Sequence, residues 1–179
     1  SFWWAMATLQ MANAWRTGET PSLERPVIGR RSSEAQMDCV NLLIPGDFSL
    51  PEQGSQISRG TQLPMPAELL AGVAAFLKGE VAEKLDSHNS FLARVAANSL
   101  GIAQRELQLG SELAVREQQR LQALLGQSGE LDALRWQLVH RLRADMPLDA
   151  PGLAEHLRQS VAGQLAIDQP RYAALRRRG

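Results

Sequence analysis

Apolar residues recur at three- and four-residue spacing along most of this chain, the pattern of amphipathic helices. The cleanest stripe is Leu131, Leu134, Leu138 and Leu142; with Ser128 as N-cap it predicts a helix over Gly129 to Ala144. Leu70, Val73, Leu77, Val81 and Leu85 predict another from Pro66 to Leu85. Phe91, Val95, Asn98 and Ile102 mark a third from Asn89 to Leu109, ended by Gly110. Ser111 to Leu125 carries a weaker pattern and stops at Gly126. Leu153, Leu157, Val161 and Leu165 define the last, capped by Asp149 and stopped by Pro170. The links are short, so consecutive helices should run antiparallel. The expected fold is all-α: a small up-down bundle of about five helices over residues 63–172.

A two-helix segment precedes the bundle. Ser1 to Gly18 is apolar nearly all round, with Phe2, Met6 and Leu9 on one face and Trp4, Met11 and Trp15 on another. Such a helix wants burial on more than one side. Thr20-Pro21 starts a second helix that runs to about Ile44, broken near Pro26, with Ile28, Ala35, Cys39 and Leu42 at helical spacing. Residues 45–62, rich in Gly, Pro, Ser and Gln, read as a linker. Residues 1–44 are too few to hold a core alone, so they should end something larger or pack on the second piece. Residues 173–179 form a basic tail.

Composition narrows the function classes. Nineteen basic residues balance nineteen acidic ones, which leaves no electrostatic footprint for nucleic acid or an anionic membrane. One cysteine, Cys39, excludes an internal disulfide and a thiolate metal cluster, and three histidines give little material for a metal centre. No apolar run is long enough to span a bilayer. Ser1-Trp15 has no basic stretch before an apolar region and so does not read as a signal peptide. The expected setting is the cytoplasm. Glycines occur singly, without either common phosphate-binding pattern, and none of His88, His140 and His156 has an Asp two residues on, as a kinase-type loop requires. The expected reading is non-catalytic, with no cofactor and no metal.

Among single residues, Asn98 is the most informative. It shares the stripe of Phe91, Val95 and Ile102, one turn after Arg94, so an amide faces an expected core. A buried amide without partners costs about 1–3 kcal/mol. Asn98 is therefore either bonded to a neighbouring helix or a polar handle in a ligand cleft formed with Arg94 and Glu106. His88 and His156 read as boundary histidines and Cys39 as a small core thiol. Arg176-Arg177-Arg178 reads as a solvated charge run, with an acidic partner as the alternative. Trp3, Trp4 and Trp15 form either a partner-facing patch or a core fragment.

Two stretches resemble known families. Phe2-Trp3-Trp4, then Ile28-Gly29-Arg30-Arg31-Ser32-Ser33-Glu34, Asp38 and Leu42-Leu43, resemble the closing helical pair of aminoglycoside-phosphotransferase-like kinases of the acyl-CoA-dehydrogenase-associated subgroup. Pro66-Ala67-Glu68-Leu69-Leu70, Arg94-Val95-Ala96-Ala97-Asn98 and Leu165-Ala166-Ile167-Asp168-Gln169-Pro170-Arg171-Tyr172 resemble an uncharacterised helical domain that accompanies such kinases, fused or as a gene neighbour. Leu92 stands where that family carries a His. The resemblance implies that residues 1–44 are the remnant of a kinase-like C-lobe and that the bundle is an accessory or interaction module. The partner would be a kinase-like lobe in cis or trans, or a second copy. Two alternatives stand beside it. One is a helical domain binding an acyl or CoA group at Arg94, Asn98 and Glu106. The other is a truncated piece of an ATP-dependent phosphotransferase acting on a hydroxyl.

Overall fold

The structure, a computed structural model, describes residues 2–20, 22–44, 46–51 and 65–175. Most of the expected linker and the Arg176-Arg177-Arg178 run lie outside the described residues. The described residues are helical, with no strand, so the all-α class holds. Three helices come first: α1 (Phe2–Arg16), α2 (Glu24–Arg30) and α3 (Ser32–Leu43). Pro26 does not break this region. It is the third residue of α2, where a backbone N–H has no partner within the helix to lose. The break falls at Arg31, whose N–H bonds back to the Ile28 carbonyl.

The bundle begins with α4 (Pro66–Phe76), which continues through a π turn at Leu77–Val81 into the short α5 (Ala82–Lys84). Pro66 sits at the first helical position, and the Glu68 carboxylate accepts the Met65 N–H at 2.6 Å. The next helix, α6 (Ser87–Leu125), runs for 39 residues without interruption. The break expected at Gly110 is absent, so two expected helices are one. A mid-helix glycine costs only about 1 kcal/mol, and here Leu109 and Leu113 on either side of it pack with Ile102 of α6 and Ile167. The ends of α6 are well specified. Asp86 accepts the N–H groups of His88 and Asn89, and Gly126 closes the helix in the left-handed conformation at φ 69°.

Two further helices, α7 (Leu131–Arg143) and α8 (Leu153–Asp168), and a 3₁₀ turn at Ala173–Leu175 complete the described chain. The stripe on α7 buries as expected, with Leu134 and Leu138 packed against Leu121, Leu125 and Leu153. The caps differ: Glu130 rather than Ser128 precedes α7, and Gly152 at φ 85° turns the chain into α8 beyond Asp149.

The N-terminal layer packs on the bundle through α2, against α6, and α3, against α8, while α1 packs on α2 and α3. Met37 of α3 is wholly buried against Ala162 and Leu165 of α8. Polar contacts tie the same seam: Tyr172 donates to Asp38 at 2.8 Å, and Asn41 donates to the Ala174 carbonyl at 3.0 Å. Within the N-terminal layer, Gly29 of α2 sits against Ala12 of α1, so close that a Cβ there would lie 2.4 Å from the Ala12 Cβ. That close approach is why a glycine stands in the middle of this helix.

Candidate functional site

Asn98 does not face the core. It is exposed, as are Phe91 and Arg94. The inward face of α6 is instead Ser90, Ala93, Ala97 and Ile102, because α4 crosses there and small side chains allow the two helices to approach. The expected stripe is thus displaced round the helix, and only Ile102 of its four members is buried.

Arg94 and Asn98 line one cleft. Its volume is about 350 Å³, and it lies between α4 with its π turn, α6 and the segment after α8. Lys78 from the π turn and Arg171 from that last segment converge on it, together with Arg105. Arg105 is anchored: its Nε donates to the Ile167 carbonyl at 2.5 Å and an Nη to the Asp168 carbonyl at 3.4 Å. Burial holds the Arg105 pKa below its ordinary value against the pull of Asp168, and Arg171 adds to the lowering. Ala74, Ala75, Ala97 and Pro170 supply the apolar part of the wall. Among the residues lining this cleft there is no Asp or Glu.

Glu106 is not part of it. It follows Arg94 by twelve positions, about 18 Å along the helix axis and about 120° round it. There it accepts from Arg30 of α2 at 2.6 Å, and Arg30 also stands 3.4 Å from the buried Asp168. Burial raises the Asp168 pKa, while Gln164, Arg30 and Ser33 pull it back. The grouping of Arg94, Asn98 and Glu106 into one site is corrected accordingly: two of the three share a cleft, and the third ties α6 to α2.

A second groove of about 270 Å³ runs between α6, α7 and α8 and is lined by Glu106, Glu117, Arg120 and Arg135. Its charges largely cancel. Arg135 binds both Glu117 oxygens, at 2.6 and 2.9 Å, and Asp132 at 3.0 Å. Arg120 is half-buried, with its Nε lacking a hydrogen-bond partner and an Nη reaching Ser160 at 3.4 Å.

A third groove, of about 380 Å³, has a different character. Phe2 and Ala5 of α1, Ala35, Cys39 and Leu43 of α3 and Leu157 and Val161 of α8 form it, almost entirely from apolar side chains. Cys39 is half-buried in its wall. Phe2 and Leu43 of the wall are 76% and 74% exposed, and their chain neighbours Trp3 and Leu42 are 76% and 81% exposed. Leu42 therefore points to solvent rather than inward, and α1 buries only Ala5 and Thr8. The sequence signal for this patch was the apolar character of helix one all round.

Among the described residues, no group of three or more His, Cys, Asp or Glu is placed to hold a metal, and no helix is long and apolar enough to cross a membrane. Residues 83–172 match the model of a family described as a domain of unknown function, DUF6285. The chain belongs to that family. No curated protein and no solved structure matches it.

Proposed function

We propose that this chain is a non-catalytic helical accessory module that docks onto a partner through the apolar face of its N-terminal helices. The observation that carries the reading is the apolar α1/α3/α8 groove, whose wall includes the exposed Phe2 and Leu43, with their exposed chain neighbours Trp3 and Leu42. Moving each such side chain out of water is worth about 1.5–3 kcal/mol. Four together are enough to offset much of the cost of association. Isolated exposed apolar residues need no explanation; a contiguous patch around an apolar groove marks an interaction surface.

The resemblance of residues 1–44 to the closing helices of a phosphotransferase-like kinase supports such a kinase lobe as the occupant. Titrating the full chain with a kinase of that type from the same genome, read by calorimetry, tests this. Saturable binding is expected, weakened at least about tenfold by Trp3→Arg with Leu43→Arg, since two buried anchors are lost. Binding that the double variant leaves unchanged, or no binding, overturns the reading. So does a tight self-dimer that the same variant dissociates, which would make a second copy the occupant.

A further inference from the structure

We propose that the basic cleft between the π turn, α6 and the segment after α8 binds a small molecule through a di- or triphosphate group. The chain has zero formal net charge, yet four cations, Lys78, Arg94, Arg105 and Arg171, line this one cleft with no carboxylate among its walls. Among the described residues, Lys78, Arg94 and Arg171 make no ion pair, whereas Arg30, Arg31, Arg116 and Arg135 each hold a carboxylate. The carboxylate nearest in sequence to the closing segment, Asp168, is turned towards Gln164 and Arg30. Arg105 spends its hydrogen bonds on main-chain carbonyls, which fix its position; Asp168 attracts it from a distance but forms no ion pair with it.

Like charges brought together without a counterion repel, so the arrangement is relieved by a polyvalent anion. A single phosphate carries at most two charges near neutral pH and would leave the cleft positive. A di- or triphosphate comes closer to balance, and guanidinium groups match phosphate oxygens in pairs. Asn98 and Gln169 add amides that can donate to the same oxygens. The volume, about 350 Å³, is that of a small-molecule site, and Ala74, Ala97 and Pro170 offer apolar contact to the uncharged part of the ligand. None of these residues lies in the apolar docking face, so this site and that surface stand or fall separately.

Calorimetric titration of the full chain at low salt with inorganic pyrophosphate, ATP and citrate tests the proposal. Pyrophosphate and ATP should saturate one site, with affinity falling as salt is added. Citrate, similar in charge but built of carboxylates, should bind more weakly. Lys78→Gln with Arg94→Gln, both surface-exposed, should weaken pyrophosphate about tenfold or more, the loss of charge-assisted bonds. Arg16→Gln with Arg143→Gln removes the same charge elsewhere and should leave affinity unchanged. No saturable binding of pyrophosphate or ATP overturns the proposal, as does equal weakening by the two double variants. Citrate binding as tightly as pyrophosphate overturns the phosphate assignment.

Discussion

His156 shows how burial sets a residue's chemistry. It is 5% exposed on α8, and its Nδ1 has no hydrogen-bond partner. Burial lowers its pKa, Arg120 and Arg135 lower it further, and Glu117 pulls the other way. The folded state therefore favours the neutral ring, whereas the unfolded chain takes up a proton near the ordinary value of 6.5. The stability this contributes is fully present above that value and is lost as pH falls from there through the depressed folded pKa. The thermal midpoint of the native chain should drop between about pH 7.5 and about pH 5.5, the range spanning an unperturbed histidine. In His156→Gln the drop should be smaller. Equal drops in the two proteins would mean that the ring is protonated in the folded state. The position was legible as a boundary residue beside Leu153 and Leu157. Its full burial was not, because Arg120 comes from a helix some thirty-six residues earlier and sequence spacing does not show what packs across.

Element by element, the sequence was most readable where one stripe meets one neighbour. Leu131, Leu134, Leu138 and Leu142 follow a simple period and bury as read. Reading fails where an element has two neighbours or is held from outside. On α6, Phe91 and Val95 look like core by size, but α4 selects the small face of Ser90, Ala93 and Ala97, so Phe91 is left exposed and Val95 only half-buried. Gly110 looks like a stop, yet Leu113 is held by α8 and the helix runs on. Glycine matters more at the crossing of α1 and α2. In Gly29→Ala the new methyl meets the Ala12 Cβ, which is fixed to its own backbone and cannot turn aside. The helices must separate, and a loss of about 1–3 kcal/mol is expected. Gly163→Ala is the contrast: its nearest neighbour is the end of the Leu113 side chain, which has other rotamers. Chemical denaturation of the two variants checks the pair, and a cost at Gly163 as large as that at Gly29 would refute the distinction.

For the whole molecule, the question is whether the N-terminal helices and the bundle are one cooperative body. Neither segment announces the seam in its sequence, since its partners lie far apart along the chain: Arg30 with Glu106, Asp38 with Tyr172, Asn41 with the Ala174 carbonyl. The sequence left open whether residues 1–44 end something larger or pack on the second piece; α2 and α3 do pack on α6 and α8. Met37 is the centre of the seam, wholly buried with Ala162 and Leu165. Truncating it to Ala leaves a cavity and should cost about 2–5 kcal/mol. The tryptophans separate the two halves, because three of the four, Trp3, Trp4 and Trp15, lie on α1. Far-ultraviolet dichroism is dominated by the longer helices of the bundle. If the seam couples the halves, the fluorescence and dichroism transitions coincide in the native chain, and Met37→Ala moves both together to lower temperature. A fluorescence transition that shifts alone would mean that α1–α3 come away first. The bundle would then have to cover Leu165 and Ala162 without them.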